Sequence, residues 1–216
     1  MGNVSKDEVS ELLAPYNEHI YHAVHGAWEK LINSILPMFP ACTVRYRRNA
    51  MYELMIQMAR PLFHDLSGIE LVESKRGRIL LVVNRRDANL VVRFKKIDNK
   101  FLTSNYPTQG SLAFDHQMPG LPGIPSGSRI TVGYLMNDDE TQLIGVFIIF
   151  AKGTSVQWQY ELLPNGKTAE IYAFPQPALP MQPKKTKPHV QAKKKRIRRK
   201  TGHKNNLRIV NKKKDE

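Results

Sequence analysis

Three histidines recur at three-residue steps in "NEHIYHAVHGAWEK", His19, His22 and His25, with Glu18 and Glu29 in the same stretch. Imidazole and carboxylate are zinc ligands, so the first chemistry to weigh is a metal site. On a helix, however, two steps of three leave His19 and His25 about 120° apart around the axis, and one helix cannot aim all three at one ion. The spacing instead suits local pairing of Glu18 with His22 and of His25 with Glu29, each pair four residues apart. No metal and no cofactor are expected.

A second constellation is the kind used by metal-dependent nucleases of the restriction-enzyme-like class, which combine converging carboxylates with a lysine in an acidic-x-Lys triplet. Two such triplets occur, "ESK" at Glu73 to Lys75 and "DNK" at Asp98 to Lys100. Asp87 and Asp98 stand at opposite ends of one predicted strand, which at ~3.3 Å per residue keeps them more than ~30 Å apart and unable to share an ion. Glu70 and Glu73 point to opposite faces of a strand. There is no phosphate-cradling glycine loop, no serine-hydrolase elbow and no Cys/His cluster. Cys42 is the only cysteine, which excludes an intramolecular disulfide and fits a reducing compartment. These residues predict no catalytic activity.

The remaining chemistry is cationic. "KKKRIRRK", 193–200, is interrupted only by Ile197, and 15 of the 33 basic residues but only 2 of the 19 acidic ones fall in 184–216. That segment therefore carries +13 of the formal +14, leaving +1 on the other 183 residues. Lysine and arginine that neutralise phosphates release condensed counterions, giving sequence-independent affinity that falls steeply with salt. The candidate nucleic-acid-binding residues are Lys193, Lys194, Lys195, Arg196, Arg198, Arg199, Lys200, Lys204 and Arg208, joined by Arg45, Arg47 and Arg48 of "TVRYRRN". All 18 Phe, Tyr and Trp residues lie outside the tail, so the tail has none of these rings on which to stack a base. Further basic residues, Lys75, Arg76, Arg78, Arg85 and Arg86, fall in two turns, one end of which is placed to align with "RYRR".

The elements that position these groups follow from hydrophobic period. Ser5 and Glu8 have capping-box spacing, Pro15 marks a kink or a new start, and Tyr16, Ile20, Val24, Trp28, Leu31 and Ile35 form one apolar stripe at helical spacing. After the break "LPMFPAC", Met51, Leu54, Met55, Met58, Leu62 and Leu66 form another, with a bend or two shorter helices expected at Pro61. From Gly68 the period changes. "IELVES", "RILLVVN" and "NLVVRFKKI" read as a meander turning at "KRG" and "RRDA", followed by "RITVGYLM", "QLIGVFIIFA" and "SVQWQYEL". The unbroken apolar run 143–151 predicts a strand covered on both faces, and the alternating last strand one wet face. Residues 98–128 read as a long Pro/Gly loop, a surface excursion containing a short helix or strand, with a lid, binding loop or disordered insertion as the alternatives.

The fold class expected is α+β: two N-terminal helical segments, within 5–66, packed on one face of a mainly antiparallel sheet of about six strands within 69–173. A Pro-rich linker, 174–188, and a disordered basic tail, 189–216, complete the domain plan. Without a signal peptide or an apolar run of membrane-spanning length, the chain reads as intracellular, cytoplasmic or nucleoid-associated, and nuclear in a eukaryote. "MGNVSK" has Lys6 where a myristoylation motif needs Ser or Thr. The function expected is that of a nucleic-acid-associated protein, DNA- or RNA-binding through backbone contacts. Its body gives partner or ligand specificity and the tail gives affinity. The alternatives are a protein-interaction module, such as an antitoxin or regulatory subunit, and then a metal-dependent nuclease.

Overall fold

The computed structural model describes residues 4–73, 79–84, 89–103, 108–119 and 125–170. The basic turns after the first two strands, the Pro-rich linker and the tail lie outside the described residues.

The chain begins with α1 (Lys6–Leu13), whose N-cap Ser5 accepts a hydrogen bond from the Glu8 N–H at 3.2 Å. Pro15 opens a single 3-10 turn, Ala14–Tyr16, and α2 (Asn17–Lys30) follows directly. The turn uses proline where its missing N–H costs nothing. Ile20, Val24, Trp28 and Leu31 of the first apolar stripe are buried as the spacing requires. A π turn, Leu31–Ile35, leads into the three-residue α3 (Leu36–Met38), and Thr43 then caps the long α4 (Val44–Phe63). Met51, Leu54 and Met55 are buried on α4. Of the bend or two shorter helices expected at Pro61, the second does not occur: α4 runs on to Phe63, with Pro61 in its last turn forfeiting one helical bond.

Seven strands form one sheet in chain order: β1 (Ile69–Glu73), β2 (Ile79–Val83), β3 (Asn89–Ile97), β4 (Gly127–Met136), β5 (Leu143–Lys152), β6 (Ser155–Leu162) and β7 (Thr168–Ala169). The two-residue β7 is the strand the sequence pattern does not disclose. All neighbours are antiparallel except β3 and β4, which pair in parallel over nine residues from Asn89↔Gly127 to Ile97↔Leu135. The α+β class thus holds, and the helical segments pack on one face of the sheet. Leu90, Val92, Phe94, Ile130, Val132, Val146, Ile148 and Phe150 point into a single core with Ile20, Val24, Met55 and Phe63. Among the described residues no helix is long and apolar enough to cross a membrane.

The parallel pair reshapes the expected long loop. A parallel connection must pass over a face of the sheet, and part of 98–126 forms α5 (Gln109–Asp115), with β4 already starting at Gly127. Strand alternation puts Val91, Arg93, Arg129 and Thr131 on the face opposite the core of α2 and α4, and Phe114 of α5 packs there with Leu80 and Val91. Arg93 and Arg129 are buried there, their guanidiniums 4.1 and 5.6 Å from the Phe114 ring centroid. Arg93 pairs with Asp115, while Arg129 donates to the Ala113 carbonyl at 2.8 Å, near the negative end of α5. Gln117 then replaces missing ladder bonds, accepting from the Arg129 N–H at 2.9 Å and donating to the carbonyls of Arg129 and Ala151 at 2.8 and 3.2 Å.

The start of the parallel pair tolerates no side chain at position 127. A Cβ on Gly127 would lie 2.0 Å from the Asn89 carbonyl oxygen, a collision with backbone of the partner strand. Gly127→Ala should therefore cost about 3 kcal/mol, at the upper end of overpacking effects, measured as a shift in urea midpoint at unchanged m. A cost below ~0.5 kcal/mol would show that the two strands are not held this closely.

Candidate functional site

The "RYRR" cations sit where a helix least favours them. Thr43 Oγ1 accepts from the Tyr46 N–H at 3.2 Å, fixing the first turn of α4, and that turn contains no acidic residue. Arg45, Arg47 and Arg48 therefore crowd the positive end of a 20-residue helix. Cations at this end cost about 0.3–1 kcal/mol each where they are not compensated.

Arg48 is compensated. Its Nε donates to the two carboxylate oxygens of Glu140 at 2.9 and 3.2 Å, its Nη2 donates to Oε1 as well, and Lys96 Nζ reaches the same oxygen. Glu140 belongs to the β4–β5 hairpin, where it takes a left-handed φ of 54° and is only 5% exposed. Asn137 builds this turn: its side-chain oxygen accepts from the N–H groups of Thr141 and Gln142 at 2.8 and 3.0 Å, and its carbonyl accepts from Glu140 N–H at 2.9 Å. The hairpin thereby turns one carboxylate inward against the helical layer.

Burial pushes the Glu140 carboxyl up, but hydrogen bonds from Arg48 and Lys96, with their charges, outweigh it and hold the group below its ordinary 4.5. Burial, with the Glu140 charge beside it, pushes Tyr134 well above the usual tyrosine value. Leu31, Arg47, Arg48, Met51, Lys96, Tyr134, Met136 and Glu140 surround a cavity of about 10 Å³, room for roughly one water molecule. This arrangement fastens a helix to a sheet; it is far smaller than a pocket for a small-molecule substrate, for which ~300 Å³ is a lower bound.

Arg45 and Arg47 are left over. Arg45 is exposed with no ion pair among the described residues, and the Arg47 Nε is buried with no hydrogen-bond partner. Arg45, Arg47 and Arg48 are therefore together on one turn, but only two of them are uncommitted. The tail candidates Lys193, Lys194, Lys195, Arg196, Arg198, Arg199, Lys200, Lys204 and Arg208 lie outside the described residues, as do Lys75, Arg76, Arg78, Arg85, Arg86 and Asp87.

Most of the other residues weighed for chemistry have local partners, although the His19 Nδ1 has no hydrogen bond. His22 lies 3.7 Å from Glu18 and His25 3.4 Å from Glu29, while the His19 ring packs 6.1 Å from Phe63. Glu73 accepts from Arg60 at 2.8 Å, and Asp98 accepts from the N–H groups of Lys100 and Leu102, closing a turn. Cys42 is a half-buried free thiol. Among the described residues no group of three or more His, Cys, Asp or Glu gathers as metal ligands would. Sequence reasoning missed Glu140, Lys96 and Tyr134; the one available signal was Lys96 in core phase with Leu90, Val92 and Phe94. No protein-family model, curated protein or solved structure matches the chain.

Glu140→Gln would leave Arg48 and Lys96 facing each other beside Arg47. At pH 7 the loss should be about 2 kcal/mol, reduced from that of a fully buried pair because the Arg48 side chain is half exposed. The folded-state pKa lies below 4.5, so ionised Glu140 stabilises the fold above 4.5 and its contribution disappears as pH falls through the depressed value. Urea unfolding of parent and variant should thus differ at pH 7 and converge in acid. An equal difference at pH 7 and pH 3 would contradict the ion-pair account.

Proposed function

We propose that this is a non-enzymatic nucleic-acid-associated protein, in which the Lys/Arg tail supplies phosphate affinity and the folded body supplies the specificity. The observation that carries the reading is the charge partition, +13 in 184–216 against +1 in the rest of the chain. Self-repulsion in so dense a run is unfavourable without an anionic partner, and polyphosphate backbones are the polymers whose charge density answers it. The two uncommitted arginines at the start of α4 add cationic groups to the body. DNA and RNA attract such a tail alike, since phosphate contacts do not distinguish the sugars. A protein of this kind works where nucleic acid is, in cytoplasm or nucleoid, or in the nucleus of a eukaryotic cell.

The test compares the full-length protein with a full-length variant in which the basic residues of 193–200 are glutamine, using fluorescence anisotropy with a labelled 20-base-pair duplex across a salt series. With about six tail phosphate contacts, the parent should show a slope of log affinity against log salt near −5. The variant should bind at least about tenfold more weakly with a visibly shallower slope. Unchanged affinity and slope would overturn the tail's role. No duplex or single-strand binding by the parent, with capture of a stoichiometric protein partner instead, would replace the reading by that of a protein-interaction module.

A further inference from the structure

We infer that the corner joining α3 to α4 is a platform for single-stranded nucleic acid, on which bases stack against Phe39 and Tyr46 and a phosphate is held by Arg45. The inference rests on the nucleic-acid reading above and supplies the base-sensitive contact that a tail without Phe, Tyr or Trp lacks.

The surface is unusual in its apolar exposure. Four of the seven exposed large hydrophobic side chains among the described residues fall within 38–46: Met38 at 70%, Phe39 at 49%, Val44 at 40% and Tyr46 at 41%. Single exposed apolar residues are ordinary, but a contiguous group with an aromatic pair marks a contact surface. The Phe39 and Tyr46 rings lie 5.7 Å apart and tilted by 57°, so they form a ridge of two differently facing rings in solvent. The helical stretch that leads to this corner includes the π turn Leu31–Ile35, a form rare in helices and concentrated at functional positions.

The charge around the ridge specifies an anion. From Lys30 to Tyr52 the chain has four basic residues and no acidic one. Successive residues on a helix project about 100° apart, so the exposed Arg45 lies beside Tyr46, whereas Arg47 projects about 160° from Arg45, toward the cavity it lines with Lys96 and Glu140. Both stand at the positive end of α4, where a cation is disfavoured, and neither has the carboxylate that Arg48 has in Glu140. An anionic ligand removes that penalty. A second copy of this chain would oppose arginine to arginine, so self-association does not complement the surface. Planar guanidiniums beside exposed rings suit phosphates and bases together, through forked hydrogen bonds and stacking. A single strand presents both; in a duplex the base faces are already stacked.

The experiment uses the full-length protein with two 20-mers, a single strand of mixed sequence and the corresponding duplex, each as DNA and as RNA, at one moderate salt concentration. Phe39→Ala with Tyr46→Ala should weaken single-strand binding about tenfold while leaving duplex binding within twofold, as expected for the loss of stacking on one or two bases. Tyr46→Phe alone, which keeps the ring, should retain single-strand binding. Arg45→Glu gives an independent sign: thermal stability of the free protein should rise, because the helix end is relieved, while single-strand affinity falls. Equal losses for duplex and single strand in the alanine double variant would overturn the platform, as would no loss for either. Binding to duplex by the parent with no binding to the single strand would defeat the platform while leaving the tail reading intact, whereas no binding to any nucleic acid would defeat both. Loss of binding to phosphatidylserine vesicles in the double variant, with single-strand binding unchanged, would reassign the surface to a membrane.

Discussion

The parallel pairing of β3 with β4 is the constraint from which the rest of the architecture follows. An otherwise antiparallel sheet folds with short hairpins on its edges; inserting one parallel neighbour in its middle obliges the chain to cross a face between Ile97 and Gly127. That crossing places α5 opposite the core of α2 and α4, and it explains why two arginines are buried on that side. Arg93 and Arg129 sit on the paired strands, one neutralised by Asp115 and the other hydrogen-bonded to a carbonyl near the end of α5, with Phe114 against both. Arg129 retains a cost: burial lowers its pKa, and its Nε has no partner. The site is a clamp on the crossover, with its cations consumed internally.

A comparable fastening joins the helical layer to the sheet at the other cationic cluster, with a different outcome. One inward carboxylate, Glu140, holds Arg48 and Lys96 and fixes the first turn of α4 against β3 and the β4–β5 hairpin. The same turn then carries Arg45 and Tyr46 outward from a rigid base. The three arginines of "RYRR", alike in the sequence, are thus divided between structure and surface. That division gives α4 its proposed role: the ends of rigid elements hold a recognition group in place more precisely than a free loop does, and they lose less conformational entropy when a ligand binds.

Much of this fold was legible because hydrophobic period is a local property. The stripe from Ile20 to Leu31 and the one from Met51 to Met55 are buried, and the six recognised strands fall within a few residues of the expected positions, because each pattern is set by burial on one or two faces. What escaped is non-local. β7 is two residues long and exists only by pairing with β6, and the parallel register of β3 with β4 has no signature in either strand. α5 is capped by Thr108 and Ser111 in a short segment bordered by prolines and glycines, where one turn-forming composition hides a helix of seven residues. Glu140 lies in "NDDET", where a hairpin turn is expected; those five letters alone do not say which acid turns inward, since Glu140 is singled out by its left-handed φ and by Arg48 and Lys96 from distant parts of the chain. The arginines of α4 were legible as a group, whereas Arg48's commitment to a carboxylate 92 residues away was not.

The proposed nucleic-acid binding has two parts, a charged tail that takes phosphates of either form and an aromatic corner that selects single strands. Photo-crosslinking of the full-length protein to a single-stranded oligonucleotide carrying photoreactive bases, with the crosslinked residues assigned by mass spectrometry and a duplex of the same sequence as the comparison, tests this directly. The account predicts crosslinks at Phe39 or Tyr46 with the single strand alone, and crosslinks in 184–216 with both forms. Base crosslinks elsewhere on the body with none at Phe39 or Tyr46, or identical patterns for the two forms, would contradict it.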